Sequence, residues 1–325
     1  MIVPQFWAEA HIHHRAGNKR ITVRRYGWSD ESQAEAQTLA DTRAREALQR
    51  IESGEKLRRR EPKVAYNGAD GVPIREEILR REGTAVITRN LYGAHCLNTP
   101  NVLFADVDFT TATPPKLTAI TILVCVCLAG WFGWNTHSFK LGLFATVVAL
   151  FAATVAAGVL HRLLLLLGGS TEKSARRRIE TFIARHRGWR LRLYRTPAGF
   201  RVLAMHRTFD PSEPEVGKFF RALHTDPVYV RMCMNQRCFR ARLTAKPWRI
   251  GITEHMRPSL GVWPIKPEHM PKRREWIENY ERIAAGYASC RFDGELGDGG
   301  IDISAAAVQR LHDKLSQSNA KLPLA

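Results

Sequence analysis

The chain has 325 residues, and its 49 Lys and Arg residues exceed its 31 Asp and Glu residues, for a formal net charge of +18. Hydrophobic residues make up 45% and charged residues 25%, which excludes a chain disordered throughout, and the mean hydropathy of −0.26 excludes a polytopic transporter. The basic excess lies in the second half, where residues 141–325 carry 30 basic and 16 acidic side chains. Such a surface favours anionic partners, namely phospholipid, nucleic acid or nucleotide.

The first segment, residues 1–60, is predicted to be a β-hairpin followed by a helix. Phe6–His13 and Ile21–Trp28 have the alternating pattern of strands. Ser29 or Ser32 can cap the Ala- and Glu-rich helix that follows.

Residues 61–116 are predicted to form the first part of an α+β core. The pattern indicates a short helix over Ile74–Arg81 and a strand over Thr84–Thr88. Val102–Phe109 is predicted to be a buried strand, because its residues are largely apolar.

Residues 117–167 are predicted to form a transmembrane helical hairpin. Leu117–Trp134 and Leu141–Leu160 are runs of 18 and 20 residues without a charged side chain, and a helix needs roughly 20 apolar residues to cross the hydrocarbon. The alternative is a buried helical pair in a soluble core. That alternative is disfavoured because core helices usually keep a polar stripe.

The residues that flank these runs predict an orientation. Lys116 precedes the first run, and Arg176, Arg177 and Arg178 follow the second, which places both termini in the cytoplasm and the hairpin in the inner membrane. Small residues in both runs permit close helix contact, so homo-oligomerisation through the hairpin is a further expectation.

Residues 168–325 are predicted to be the basic second part of the α+β core with C-terminal helices. Glu172–Arg187 is predicted to be a helix, and Trp189–Tyr194 and Phe200–His206 to be strands joined by a turn at Thr196–Gly199. Further predicted elements are the helices Pro214–His224, Glu275–Ala285 and Ala305–Ser316, the strand Phe239–Leu243 and the surface loop Asp293–Gly300. The fold class is therefore α+β, a cytoplasmic mixed domain interrupted by an inserted membrane hairpin.

Asp106 and Asp108 are the first candidate site residues. They form a D-x-D pair at the end of an apolar strand, where period-two alternation places both carboxylates on one face. Oxygen ligands of this kind suit Mg²⁺ or Mn²⁺ bound together with phosphates. The alternative is an exposed strand end with two solvated acids.

Basic residues on three later strands are candidate phosphate ligands, because guanidinium groups match phosphate oxygens. His206, at a strand end, could contact a phosphate or a metal-bound group, or could be a packed, hydrogen-bonded histidine. The candidate phosphate-binding residues are Arg195, Arg201, Arg240, Arg242 and Lys246. The alternative for the basic strand is a solvated surface near anionic lipid.

Taken in chain order, these pieces resemble the catalytic core of the archaeo-eukaryotic primase, or primase–polymerase, superfamily. VLFADVDF resembles its hhhDhD strand and GFRVLAMH its s-x-H strand, although Ala204 stands where the family has a small hydroxyl residue. The resemblance implies that Asp106 and Asp108 hold a divalent metal and that His206 contacts nucleotide phosphates. It also implies a third acid, either Asp226 or Asp210.

Cys233 and Cys238 are separated by four residues and flanked by His224 and His255. A zinc site is conceivable there, and reduced thiols in a cytosolic domain are the alternative.

Two functions fit these patterns. The first is a two-span membrane protein whose basic domain is a divalent-metal-dependent, primase-like nucleotide- or nucleic-acid-binding domain. The second is a non-enzymatic membrane-anchored binding or scaffold protein whose basic surface contacts anionic lipid or nucleic acid.

Overall fold

The computed structural model describes residues 3–16, 19–61, 72–109, 113, 115–167, 171–258 and 263–325. The chain forms two compact units, one built from Met1–Val107 together with Glu180–Ala325 and the other from Asp108–Ile179. The protein is mixed α and β, as predicted. Its described elements are, in chain order, β1 (Phe6–Ala16), β2 (Lys19–Ser29), α1 (Gln33–Glu52), β3 (Glu77–Glu82), β4 (Ala85–Arg89), β5 (His95–Thr99), β6 (Phe104–Asp108), α2 (Pro115–Asn135), α3 (Phe139–Leu167), α4 (Thr171–Arg185), β7 (Leu191–Arg195), β8 (Gly199–Ala204), α5 (Pro214–Leu223), α6 (Pro227–Gln236), β9 (Phe239–Arg242), α7 (Met270–Ala284), β10 (Arg291–Leu296) and α8 (Ile303–Ser316).

The N-terminal β-hairpin and helix are confirmed. β1 and β2 pair antiparallel, with Phe6 opposite Ser29 and Ala8 opposite Gly27. Ser32 is the N-cap of α1, and its side chain accepts a hydrogen bond from the backbone N–H of Glu35 at 3.2 Å.

The helix α1 packs unusually close to β2. A Cβ atom built on Gly27 would lie 2.0 Å from the carbonyl oxygen of Ala36 and 2.3 Å from the backbone nitrogen of Ala40. Both alanines are fully buried. The pattern of small residues therefore lets two backbones approach each other without intervening side chains.

The first four-stranded sheet has the order β3-β4-β5-β9. The predicted helix over Ile74–Arg81 is wrong, because Glu77–Glu82 pairs antiparallel with β4. A register shift between Ile78 and Arg80 interrupts that pairing. The strand lies at the edge of the sheet, where pairing with β4 overrides the helix-favouring composition of its sequence.

The second four-stranded sheet has the order β10-β7-β8-β6. Turn Thr196–Gly199 joins β7 and β8 as predicted, with the N–H of Thr196 donating to the carbonyl of Gly199 at 2.9 Å. The prediction of a surface loop over Asp293–Gly300 is wrong in its first part, because Arg291–Leu296 forms β10.

Each four-stranded sheet takes strands from both sides of residues 108–179. The first sheet consists of three strands from the N-terminal side and β9, whereas the second consists of three strands from the C-terminal side and β6. Neither sheet can therefore be completed by one half of the chain alone.

The helices α2 and α3 form the core of the smaller unit, and both are long and apolar enough to cross a membrane. Within their most apolar windows, only 6% and 11% of the residues are buried. The helices meet at Gly133 and Gly142, where a Cβ atom on Gly133 would lie 2.6 Å from the Cα of Gly142. Glycines here allow the close backbone approach that small residues are known to support between apolar helices.

Candidate functional site

The carboxylate of Asp106 is paired with a buried guanidinium group. Arg201, on the neighbouring strand β8, is only 2% exposed, and its Nε donates to Oδ1 of Asp106 at 3.0 Å. Nη1 of Arg201 donates to the carbonyl oxygen of Arg242 at 2.7 Å. A buried guanidinium group needs hydrogen-bond acceptors and a counter-charge, and the carboxylate of Asp106 supplies that counter-charge. These bonds hold Arg201 in the protein interior.

His206 does not lie beside Asp106. The backbone N–H of Ala204 donates to the carbonyl of Leu103 at 3.0 Å, while Arg201 reaches Asp106, so β6 and β8 run antiparallel. This register carries His206 about five residues, or roughly 16 Å, along the sheet from Asp106.

The ring of His206 is held by neighbouring aromatic side chains. Its centroid lies 4.4 Å from the ring of Trp189, and its Nδ1 accepts a hydrogen bond from the backbone N–H of Arg190 at 3.5 Å. Burial and the nearby charge of Arg207 lower the pKa of His206. The structure therefore places this residue in a packed, hydrogen-bonded setting.

Arg240 lies in a second buried ion pair. Its side chain is 5% exposed and that of Glu76 is 2% exposed, and one nitrogen of Arg240 donates to the two carboxylate oxygens at 2.8 and 2.7 Å. Thr88 also donates its hydroxyl hydrogen to Glu76, at 2.6 Å. Arg240 thus anchors β9 to the segment before β3.

The remaining candidate phosphate ligands are partly exposed. Nη1 of Arg242 donates to the carbonyl of Thr244 at 2.6 Å, and Nζ of Lys246 lies 5.4 Å from the ring centroid of Trp248. Arg195 is half-buried at the end of β7. Only these three of the five candidate phosphate ligands reach the surface.

Asp226 is the candidate third acid that the structure brings next to Asp106. Its backbone N–H donates to the carbonyl of Asp106 at 3.0 Å. Its carboxylate caps α6 and accepts hydrogen bonds from the N–H groups of Val228 and Tyr229 at 3.0 and 3.3 Å. The other candidate, Asp210, is exposed and accepts from the N–H of Ser212 at 2.8 Å.

Asp106, Asp226 and His206 do not converge on one point. The carboxylate of Asp106 faces a guanidinium group, that of Asp226 caps a helix, and His206 lies at the far end of β6. Among the residues that the structure describes, no group of three or more His, Cys, Asp or Glu side chains is placed to hold a metal ion.

Cys233 and Cys238 are buried and free. Burial raises the pKa of Cys233, and it raises the pKa of Cys238 to about 11. Burial therefore disfavours the thiolate form of both side chains, which is the form that zinc binds.

Arg201 belongs to a buried polar network that the sequence did not indicate. Its Nη1 lies 3.3 Å from Nε2 of His312, and because a guanidinium group can only donate, Nε2 is the acceptor. Nδ1 of His312 then carries the hydrogen and donates to Oδ1 of Asp313 at 3.2 Å. The sulfur of Cys290 lies 3.8 Å from Nε2, and the hydroxyl of Tyr194 donates to Asp313 at 2.6 Å.

The sequence feature that could have indicated this network is the adjacent pair His312 and Asp313 in the amphipathic helix α8. A histidine and an aspartate on a buried helix face require partners, but Arg201 lies 111 residues earlier in the chain. Sequence spacing alone could not identify it.

We expect the network to make the stability of the protein sensitive to acid. Burial raises the pKa of Asp313, but hydrogen bonds from His312 and Tyr194 outweigh it and lower that pKa to about 2. Because this value is below that of the unfolded chain, the ionised form stabilises the fold above about pH 4, by roughly 2 kcal/mol, and the contribution is lost as the pH falls toward 2. The measurement is the unfolding free energy of the wild type and of Asp313→Asn, both in detergent, at several pH values between about 4 and 2. The difference between the two proteins should become smaller as the pH falls. A difference that stays constant would contradict the lowered pKa of Asp313.

No protein-family model matches the chain, and no curated protein or solved structure matches it. The resemblance to the primase–polymerase superfamily therefore stays a prediction from short motifs. The function must be argued from the geometry of this chain itself.

Proposed function

We propose that the protein is a two-span membrane-anchored binding protein of the inner, cytoplasmic membrane, whose basic body contacts anionic phospholipid. The observation that carries the proposal is the exposure of the large apolar side chains on α2 and α3. Exposure of such a surface to water costs a free energy of about 25 cal/mol per Å² of apolar area. The same side chains avoid this cost in the hydrocarbon core of a membrane.

The sheets support an even number of spans. Both four-stranded sheets combine strands that precede and follow residues 108–179, so the two ends of that segment belong on the same side of a membrane. Lys116 in the first turn of α2 and the basic run Arg176–Arg178 after α3 favour the cytoplasmic side.

The segment that follows α3 supports contact with lipid headgroups. Residues 173–207 contain 11 basic side chains and a single acidic one, Glu180. Arg177, Arg185 and Arg187 are exposed. Basic side chains close to an anionic leaflet contribute about 1 kcal/mol each.

The proposal can be tested with the full chain reconstituted in vesicles of phosphatidylcholine, with or without phosphatidylglycerol. We expect amide hydrogen exchange in residues 173–187 to be slower in the anionic vesicles at low salt, and the protection to disappear at high salt. The triple variant Arg177→Gln, Arg185→Gln, Arg187→Gln should lose this protection.

The matched control changes three exposed arginines elsewhere, Arg45, Arg231 and Arg310, to glutamine. It should behave as wild type. Equal exchange rates in both kinds of vesicle would contradict the lipid contact, and release of the protein from native membranes by alkaline carbonate would contradict the membrane anchor.

A divalent-metal-dependent nucleotide site at Asp106 and Asp108 is a second proposal. The backbone bond between Asp226 and Asp106 supports it by bringing two candidate acids together, and the pairing of Asp106 with Arg201 opposes it. It requires nucleotide binding that depends on Mg²⁺ or Mn²⁺ and is abolished in Asp106→Asn. Calorimetric titration of the reconstituted protein with and without the metal distinguishes the two proposals.

A further inference from the structure

A cavity of about 390 Å³ lies in the larger unit, where the β4–β5 turn, the segment after β9 and α7 meet. Its lining is mostly apolar and includes the rings of Tyr92, Trp248 and Trp276. Small-molecule sites typically have this size and combine apolar walls with a few polar groups.

The inner wall of the cavity is held in place. The ring of Trp276 stacks on that of Tyr280, with centroids 5.2 Å apart and planes 11° apart, and its Nε1 donates to the carbonyl of Glu254 at 3.0 Å. Gly93 has φ +94°, and a Cβ atom there would lie 2.3 Å from the Trp276 ring. The wall therefore needs no rearrangement to receive a ligand, which lowers the cost of binding.

Trp248 lies at the mouth of the cavity and is 55% exposed. Its ring contacts that of Tyr92 edge-on, at a centroid distance of 5.2 Å and an angle of 63°. Because more than half of its surface is exposed, the indole ring is accessible to a planar group of a ligand.

One cationic side chain lies beside the mouth of the cavity. Nζ of Lys246 lies over the ring of Trp248, 5.4 Å from its centroid. Glu254 is the only acid among the described residues that line the cavity. An anionic group of a ligand would be attracted to the ammonium group of Lys246.

We propose that this cavity binds a planar aromatic ring that carries an anionic group, either a carboxylate or a phosphate. The ring stacks on Trp248 and enters between Tyr92 and Trp276, and the anion lies next to Lys246. The proposal is independent of the membrane anchor and of the site at Asp106.

The test is calorimetric titration of the full chain in detergent micelles with two anionic probes, adenosine 5′-monophosphate and indole-3-carboxylate, and their neutral counterparts, adenosine and indole-3-carboxamide. We expect at least one anionic probe to bind more tightly than its neutral counterpart, and the better probe identifies phosphate or carboxylate as the preferred group. Trp248→Ala should weaken that binding about tenfold, because aromatic stacking contributes about that much. Lys246→Met should weaken it about fivefold while leaving the neutral probes unchanged.

Both substitutions lie on partly or largely exposed side chains, so the fold should survive them. Phe292→Ala removes an exposed aromatic ring that lines a different depression, and Lys272→Met removes an exposed lysine of α7; both should bind as wild type. The proposal is overturned if neither anionic probe binds at millimolar concentration, if Trp248→Ala leaves the affinity within twofold, or if the neutral probes bind equally well.

Discussion

Replacing Glu76 with alanine is expected to destabilise the larger unit by about 3–5 kcal/mol, because it leaves the guanidinium group of Arg240 buried without a counter-charge. Both side chains are almost fully buried, so water cannot replace the lost carboxylate. The unfolding free energy of a domain is typically about 5–15 kcal/mol, and the loss would therefore be a large fraction of it. For a unit of this size we expect the midpoint of thermal unfolding, followed by circular dichroism in detergent, to fall by roughly 10 °C.

The double variant Glu76→Leu, Arg240→Met removes the ion pair together with the free-energy cost of burying its two charges. Because it removes both charges and keeps apolar volume, it should recover most of the lost stability. A matched exposed substitution, Arg187→Met, should change the midpoint by less than about 1 °C. If Glu76→Ala unfolds at the wild-type temperature, Arg240 has another source of compensation and the buried pair is not what holds β9 in the first sheet.

Gly27→Ala is expected to destabilise the β1–β2–α1 module by about 3 kcal/mol. The atoms that the new methyl group would meet, the carbonyl oxygen of Ala36 and the amide nitrogen of Ala40, belong to the backbone of α1. A side chain could rotate away from the methyl group, but a hydrogen-bonded helix backbone can only move as a whole. We therefore expect slower or incomplete packing of α1 on the hairpin, measured as faster amide hydrogen exchange along Gln33–Glu52.

Gly217→Ala is the matched control, because it makes the same chemical change inside α5. The nearest atom to its new Cβ is the flexible end of Arg221, at 3.5 Å. Alanine is favoured over glycine in a helix by about 0.5–1 kcal/mol, so this variant should be slightly more stable than wild type. Equal effects of the two substitutions would contradict the close approach of α1 to β2.

Elements with strong local signals were predictable from the sequence. The N-terminal hairpin and α1 combine hydrophobic periodicity with a turn or cap residue, and the β7–β8 turn contains Pro197 and Gly199. The helices α2 and α3 follow from long uninterrupted apolar runs. The errors fall on segments whose structure depends on distant partners. The sequence EILRRE resembles a helix, but β4 supplies the pairing that makes it a strand, and β10 contains Gly294, with φ +148°, at a break in its register with β7.

The candidate site was less predictable than the fold, because a basic residue on a strand has no local mark of its partner. Arg201 and Arg240 were predicted to bind phosphate, and their alternation on apolar strands fits that interpretation as well as it fits burial. Their carboxylates, Asp106 and Glu76, lie 95 and 164 residues away in the chain. Only the arrangement of both sheets shows that these charges neutralise one another.

The exchange of strands across residues 108–179 has a consequence for biosynthesis. Asp106 of β6 is synthesised 95 residues before Arg201 of β8. At 5–20 residues per second, β8, the neighbour of β6 in the sheet, is therefore made roughly 5–20 s later. During this interval the early strands lack two of their neighbours, while α2 and α3 are already available to the translocation machinery. With the membrane anchor proposed above, insertion of the helices would come first and completion of the two four-stranded sheets second. A chain arrested near residue 170 should therefore be membrane-embedded yet protease-sensitive over β3 to β6, which lack their later partner strands.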